Sequence, residues 1–281
     1  MTIPQTNRVD PLPALAASAA VEVIPLKNAE ERLRDAPPGS TVTVTCSPKT
    51  GVDRTLEVSA HAARTGHHVV PHLAARQVGG RPHLREIIAR LADDGIRDLF
   101  VIGGDASAQD GGYRDATELL DDLAGMDHGL DRIGVGCYPE GHPKIPAPAL
   151  LESLLRKQVH AHYMVSQLCF DSAALTGWLR ETRASGVILP LRVGVSAPLS
   201  TRKLIELSLR IGVGSSVRFL SKQHGMVGNL LLGGTYRPEE LLDGMRDELS
   251  DPALAIEGLH LFSFNQVQAA VAWQQRMADR S

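Results

Sequence analysis

The sequence has few aromatic residues, an almost balanced charge and no long apolar run. Phe, Trp and Tyr make up 4% of the 281 residues, which is too few for the stacking platforms that bind single-stranded nucleic acids. The net charge is −3, so no basic surface is predicted for nucleic acid or anionic lipid. No segment approaches the roughly 20 apolar residues of a membrane span, and the N-terminus lacks the features of a signal peptide. We therefore expect a cytoplasmic protein with neither nucleic acid nor membrane as a partner.

Cysteine is also scarce, which argues against disulfides and against a thiolate metal centre. Cys46, Cys137 and Cys169 are odd in number and far apart in sequence, unlike a disulfide framework. They lie near the ends of predicted strands. One interpretation is a zinc thiolate site, but the favoured interpretation is that the cysteines are small buried hydrophobic residues. His160 and His162 lack an evident third ligand. The sequence therefore predicts no metal site.

What the chain does contain is a regular alternation of short apolar runs and longer amphipathic segments. The short runs are rich in β-branched residues, which is typical of parallel strands covered on both faces. They comprise Ala19–Ile24, Thr41–Cys46, His68–Leu73, Asp98–Ile102, Arg132–Cys137, Tyr163–Gln167, Ile188–Val193 and Leu259–Phe264. Eight such runs match the size of an α/β (β/α)8 TIM barrel. The Rossmann alternative needs a glycine-rich turn after the first strand, and Pro25–Asn28 has no glycine. We predict a flexible tail over 1–18 and a single barrel domain over 19–281.

Polar residues stand at six successive predicted strand ends, which is where barrel enzymes place their active sites. They are Glu22, Thr45, His72, Asp105, Tyr138, Glu140, His142, Gln167 and Asp171. Each residue could instead have a structural role. An aspartate at a strand end is often a helix cap, and a lone histidine is often a core residue whose hydrogen bonds are made within the protein. Their recurrence at consecutive strand ends favours a shared functional site.

Glu22 is the most informative of these residues, because it interrupts the apolar strand Val21–Pro25. Burying a carboxylate costs several kcal/mol unless it is paired or protonated. A buried carboxyl group that holds its proton suits a general acid near neutral pH. The alternative is a structural glutamate paired with a lysine such as Lys27.

Two loops after the predicted strands have the composition of ligand-binding turns. The glycines of 103–105 let a ligand approach the backbone closely, with Asp105 beside them. The segment 138–143 reads YPEGHP, in which two prolines stiffen a turn that presents a tyrosine ring and a histidine. Arg156 follows on a helical segment, where it either binds phosphate or is a solvated charge.

These segments resemble the methylenetetrahydrofolate reductase family. Residues 135–143, VGCYPEGHP, resemble the family's A-x-YPEGHP loop, and 166–171, SQLCFD, resemble T-Q-x-x-F-D. Residues 21–25, 44–45, 71–73, 95–105 and 258–264 resemble five further family segments in the right order. The similarity runs from about Val21 to Trp273. It implies a (β/α)8 barrel that binds FAD and takes NADH or NADPH as electron donor.

The resemblance also implies roles for individual residues. Glu22 corresponds to the general acid that opens the methylene bridge of the folate, Asp105 to an acidic residue beside flavin and substrate, and Gln167 to a residue that contacts folate or nicotinamide. The flavin-contacting positions correspond to Thr45, His72, Asp105, Gly136, Tyr138, His142 and Arg156. Thr201 stands where the family has a phenylalanine that stacks on nicotinamide and folate, which makes it a substrate-binding position.

Several positions depart from the family pattern. Gly103 replaces an arginine, Ala149 an acidic residue that contacts the flavin ribose, and Ala269 an arginine after the last strand. Each change removes a polar contact, so we expect FAD to bind more weakly than in relatives that keep these residues.

We predict an oxidoreductase that reduces 5,10-methylenetetrahydrofolate to 5-methyltetrahydrofolate through flavin, with a tetrahydrofolate derivative and NAD(P)H as its small-molecule partners. A folate-dependent methyltransferase or demethylation partner on the same barrel is one alternative, and zinc bound by Cys137 and Cys169 would mark it. A folate-binding protein with weak or absent flavin is the other. The sequence leaves a homo-oligomer open.

Overall fold

The chain folds into a closed barrel of eight parallel strands, as the alternation predicts. The computed structural model describes residues 10–107, 111–210 and 234–280. The barrel strands are β1 (Ala20–Val23), β2 (Thr41–Val44), β3 (His68–Ala74), β4 (Asp98–Ile102), β5 (Arg132–Cys137), β6 (Tyr163–Ser166), β7 (Leu191–Ser196) and β10 (Ile256–Phe262). They pair in the order β1-β10-β7-β6-β5-β4-β3-β2, and β1 closes the ring on β2. Two short strands, β8 (Leu199–Ser200) and β9 (Thr235–Tyr236), form a separate antiparallel pair.

Helices follow the strands and cover the outside of the barrel. They are α1 (Leu12–Ala17), α2 (Ala29–Leu33), α3 (Gly51–Arg64), α4 (Arg81–Asp93), α5 (Ala116–Ala124), α6 (Ala147–Lys157), α7 (Ser172–Ala184), α8 (Thr201–Arg210), α9 (Glu239–Asp243), α10 (Arg246–Leu249) and α11 (Val267–Ala278), with a 3₁₀ turn at Ala75–Gln77. Asp171 caps α7 by accepting from the Ala174 N–H at 3.0 Å, which satisfies one of the unpaired donors of the first turn. No helix of the described ranges is long and apolar enough to cross a membrane.

Alternate residues of each strand serve two different cores. Val21, Val23, Leu99 and Val101 belong to the large layer between barrel and helices. A smaller cluster of Val70, Phe100, Tyr163 and Val165 fills the inside of the barrel. Because strand side chains alternate between faces, a polar residue that stands between two outer-layer residues points into the barrel.

The structure corrects two boundaries of the prediction. Part of the predicted tail over 1–18 is helix α1, in which Leu12 and Ala16 are fully buried in the large core. Residues 1–9 lie outside the described part. The predicted strand Ile188–Val193 is instead Leu191–Ser196, and Ile188 is 77% exposed. The stretch Gly225–Gly234, whose glycine content predicts a loop, lies outside the described residues except for Gly234.

Candidate active site

Glu22 lies inside the barrel near the C-terminal end of β1. Its neighbours Val21 and Val23 pack in the outer layer, so the carboxyl group points inward, and the residue is 7% exposed. Its Oε2 lies 3.2 Å from Nε2 of His260 on β10. The alternative prediction, that Glu22 pairs with Lys27, is wrong. Lys27 is exposed, and the buried partner of Glu22 is His260.

The turn after β10 fixes the position of Glu22 through its backbone. The Ser263 hydroxyl donates to the Glu22 carbonyl. The Asn265 side chain accepts from the Ile24 N–H at 2.7 Å and donates to the Ile24 carbonyl at 3.0 Å. Phe264 and Asn265 have positive φ angles of 48° and 61°, which non-glycine residues adopt only where the surroundings hold them there. These bonds hold the end of β1 against the end of β10.

His72 is the third buried polar residue of this group. It is 7% exposed, its ring centroid lies 4.6 Å from that of Phe100, and it stacks at 6.2 Å from the ring of His260. Burial, with a smaller contribution from the charge of His260, lowers the pKa of His72 to about 3. The imidazole is therefore neutral at pH 7.

Two buried polar atoms of this group have no hydrogen-bond partner in the structure. They are Nε2 of His72 and Oγ1 of Thr43, the residue of β2 in register with Glu22. Buried polar groups without partners are uncommon, and a bound ligand is one explanation for them. Sequence reasoning missed Thr43 and His260, although each interrupts an apolar strand in the same way as Glu22.

A second group of predicted residues lies in the loops outside the barrel. The rings of Tyr138 and His142 meet edge to face at 5.1 Å. Burial raises the pKa of Tyr138, and the charges of Cys137 and Asp105 act in the same direction. Burial lowers the pKa of His142 against the opposing effect of Asp105. The structure thus brings the Tyr138 and His142 rings into contact, and the exposed Asp105 carboxylate acts electrostatically on both of them.

The glycines beside Asp105 differ in what they permit. Gly104 has a φ of +84°, and an added Cβ would lie 2.9 Å from the Ala74 Cβ, so only glycine fits there without strain. An added Cβ at Gly103 meets nothing within 4 Å. The Cβ of the arginine that the family resemblance leads one to expect at position 103 would therefore meet no atom. At Gly136, the nearest atoms, of Phe100 and Tyr138, lie 4.0 Å from such a Cβ.

Comparison with known proteins places these residues in a family. The family model described as "Methylenetetrahydrofolate reductase" matches residues 21–213, well over half of the chain. The chain belongs to the methylenetetrahydrofolate reductase family. At that level it is a folate-related reductase, and its family is generally flavin-dependent.

Solved structures of the same shape show the fold alone. A GH18 chitinase from Cycas revoluta in complex with (GlcNAc)3 has a TM-score of 0.50 and 9% identity, over 93% of this chain and 99% of the chitinase chain. A mutant of a GH18 chitinase from Cycas revoluta in complex with (GlcNAc)4 has a TM-score of 0.51 and 9% identity over the same shares. At this identity the likeness carries no information on substrate.

Gln167 directly follows β6 and Thr45 directly follows β2, so both lie at the end of the barrel where the strands finish. The Gln167 N–H donates to the Cys137 carbonyl at 2.8 Å, and its side-chain Oε1 accepts from the Leu168 N–H at 2.8 Å. That bond leaves the Gln167 amide NH2 as the end that a ligand can use. Thr45 follows β2 and is half-buried.

Two predicted residues are not brought together with the others. Arg156 is exposed in the last turn of α6, 4.0 Å from Asp121. Since α6 runs from the end of β5 back toward the start of β6, that turn lies away from the active-site end of the strands. Thr201 is buried at the start of α8, and both its N–H and its hydroxyl donate to the Gly234 carbonyl at 2.9 Å. Its hydroxyl is thus occupied within the protein.

The cysteines do not form a thiolate centre within the described ranges. All three are buried and form no disulfide, and burial raises the pKa of the Cys137 thiol to about 12. Cys169 donates to Glu140 at 3.2 Å. Inert core cysteines have environments of this kind. The geometry of the cysteines therefore argues against the alternative of a methyltransferase with a zinc thiolate centre.

The residues of this site fit the flavin ring that the family uses. His72 offers a buried unpartnered nitrogen, Gly103 leaves the backbone open on its side, and Tyr138 and His142 offer a half-buried aromatic surface. A planar ring with polar edges requires apolar faces and a few donors of this kind.

Proposed function

We propose that this protein reduces 5,10-methylenetetrahydrofolate to 5-methyltetrahydrofolate with a bound flavin and NAD(P)H. The observation that carries the proposal is the buried Glu22–His260 pair at the active-site end of the barrel, beside the unpartnered atoms of His72 and Thr43. A fold of this size needs no buried carboxyl group for stability, because burying one is unfavourable. A general acid, by contrast, requires a carboxyl group at this position.

Glu22 is the general acid of this reaction. With the Nε2–H tautomer, His260 donates to Glu22 Oε2 and leaves Oε1 to carry the proton. Transfer of that proton to the bridge nitrogen of the folate opens the methylene bridge and leaves a cationic iminium carbon. The carboxylate that remains keeps its hydrogen bond from His260, which stabilises the charge left behind.

The outer group of residues handles charge and orientation. The exposed Asp105 lies near the rings of Tyr138 and His142, where its negative charge stabilises a cation that forms on the substrate. The Gln167 amide hydrogen-bonds the folate or the nicotinamide, whichever occupies the site. FAD is held by Thr45, His72, Gly136, Tyr138 and His142 together with Asp105. When bound, the flavin supplies the hydride-transfer chemistry between nicotinamide and folate.

The test begins with the cofactor. Titration of the purified protein with FAD, followed by visible absorbance, should give saturable binding, and the loaded protein should oxidise NAD(P)H in the presence of methylenetetrahydrofolate. Initial rates at varied concentrations of both substrates should give the parallel lines of a ping-pong mechanism. No FAD binding at saturating concentration would overturn the flavin assignment, whereas intersecting lines would mean that both substrates bind in a ternary complex. Intersecting lines without flavin would indicate direct hydride transfer from nicotinamide to folate.

A further inference from the structure

Three buried side chains inside the barrel present metal-ligand atoms to one another. Glu22 on β1, His72 on β3 and His260 on β10 each have one ligand atom within 4.8 Å of those of the other two. The three residues are 7%, 7% and 3% exposed. Among the described residues this is the one group of three or more such side chains that is close enough to hold a metal ion.

Hydrogen bonds within this group leave some of its polar atoms without a partner. Glu22 and His260 share one contact at 3.2 Å, whereas Nε2 of His72 is buried without a partner. Thr43, in register with Glu22 on the adjacent strand, adds a second buried oxygen without a partner. A cation among these atoms would accept the lone pairs of His72 and Thr43. It would also neutralise the negative charge of the Glu22 carboxylate.

The donor set has the chemistry of a transition-metal site. Two imidazole nitrogens and one carboxylate oxygen, with a fourth position open, form the His2Glu set of catalytic zinc sites. At Zn–ligand distances of about 2.1 Å, ligand atoms lie about 3.4 Å apart. The 3.2 Å contact already matches that spacing. Strands rather than loops carry all three ligands, which keeps them in place.

We propose that Glu22, His72 and His260 form a binding site for a divalent transition metal, Zn²⁺. The fourth ligand is water or the Thr43 hydroxyl. The consequence for catalysis rests on the proposed function. A metal on the Glu22 carboxylate takes the place of its proton, so the metal-bound protein cannot act as a general acid. The site therefore makes folate reduction sensitive to inhibition by free Zn²⁺.

The binding test needs no assay of activity. Protein treated with a chelator is titrated with Zn²⁺ in competition with a chromophoric chelator, and separately with Co²⁺, whose visible absorption reports coordination geometry. We expect one equivalent of tightly bound metal and the spectrum of a four-coordinate site. His72→Gln and His260→Gln should each weaken binding by about 100-fold, since each removes a ligand. Circular dichroism confirms that the variants fold.

A matched control separates this site from surface binding. His160 lies 3.0 Å from Asp121 in an equivalent His–carboxylate pair, but on the outside of the protein. His160→Gln should leave metal binding unchanged. Sub-stoichiometric binding, or equal affinity in the wild type and both barrel variants, would overturn the proposal. Should either barrel variant fail to fold, the Co²⁺ spectrum of the wild type still decides, because an octahedral spectrum without nitrogen ligands excludes the site.

Activity then separates the two proposals. Stoichiometric Zn²⁺ should abolish folate reduction and chelator should restore it. Metal binding without any folate reduction in the chelated protein would overturn the proposed function and leave the metal site standing. Folate reduction that Zn²⁺ does not inhibit would overturn the metal site as drawn.

Discussion

Both ends of the barrel interior carry polar side chains, but the two sets differ in how fully their members are paired. At the end where the strands begin, the guanidinium groups of Arg192 and Arg132 lie 3.9 Å and 5.0 Å from the centre of the Tyr163 ring. Glu257 accepts from both arginines at 2.8 Å. At this end, therefore, both positively charged arginines are paired with the negatively charged Glu257.

At the end where the strands finish, the polar groups are buried more deeply and are only partly satisfied. Glu22 has one contact with His260, while His72 and Thr43 each keep an unpartnered buried atom. An incompletely satisfied buried group costs stability, which is tolerated where a ligand completes it. We call Arg132, Tyr163, Arg192 and Glu257 the closed end, and Glu22, Thr43, His72 and His260 the open end. The comparison supports the proposal that the closed end serves the fold and the open end serves binding and chemistry.

The largest expected effect comes from removing the proton at the open end. Glu22→Gln should cut folate reduction by about 10²–10⁴-fold, the usual contribution of general acid catalysis. Oxidation of NAD(P)H by an artificial acceptor should survive, because that step needs no proton for the folate. Glu257→Gln at the closed end is the matched control and should reduce folate at the wild-type rate. Full folate activity in Glu22→Gln would refute the assignment.

The next effect concerns flavin affinity at the turn after β4. Gly103→Arg should tighten FAD by about 10–100-fold, because a charge-assisted contact contributes about 1.5–3 kcal/mol and an added Cβ meets no atom within 4 Å there. Gly104→Arg should fail to do so, since its φ of +84° and the nearby Ala74 Cβ oppose any side chain. Fluorescence titration with FAD measures both. Equal affinity of Gly103→Arg and wild type would mean that the missing arginine does not explain weak binding.

The open end shows why sequence reasoning recovered only part of this site. The barrel followed from the alternation of apolar runs, and Glu22 stood out as a charge within one of them. His260 interrupts its strand in the same way, between Leu259 and Leu261. The position of active-site residues at strand ends does not indicate His260, because it lies within β10. The pairing of β1 with β10 brings together residues 238 positions apart, and no local pattern encodes that contact.

Contacts outside the regular pattern were also beyond sequence reasoning. Helix α1 was predicted as a flexible tail, because six residues are too few to show a helical period and its burial depends on the rest of the core. The turn at Ser263–Asn265 depends on positive φ angles at non-glycine residues, which propensity does not predict. The resemblance alone indicates Thr201, and the helical pattern leaves Arg156 as either a phosphate ligand or a solvated charge; the fold does not bring either residue together with the other site residues.

Stability at low pH should distinguish the open end by a smaller amount. The folded-state pKa of His72, about 3, lies below the value of about 6.5 in an unfolded chain. The unfolded chain therefore binds a proton that the folded protein does not. This contribution to stability is fully present above pH 6.5 and is lost as the pH falls toward 3. Between pH 7 and pH 5 the loss is about 2 kcal/mol.

Urea unfolding of chelator-treated protein at both pH values measures this effect. His72→Gln should lose the contribution and so show a weaker pH dependence than the wild type. His160→Gln, at a half-buried histidine on the outside of the protein, should keep the wild-type dependence. An unchanged pH dependence in His72→Gln would show that His72 does not titrate as its burial requires.

The smallest effect is expected at the closed end, where it should appear in stability and not in function. Arg192→Leu removes the cation over the Tyr163 ring and one of the two contacts to Glu257. A cation–π contact contributes about 0.5–2 kcal/mol, and a partly exposed ion pair contributes up to about 1 kcal/mol. Glu257 keeps Arg132 and leucine recovers some apolar burial, so the net loss should be about 1–2 kcal/mol. Calorimetry should show Tm lower by several degrees, at about 2–4 °C per kcal/mol, while kcat, KM and flavin affinity stay at wild-type values. A loss of activity without a loss of Tm would mean that the closed end also serves the reaction, and the division between the two ends would fail.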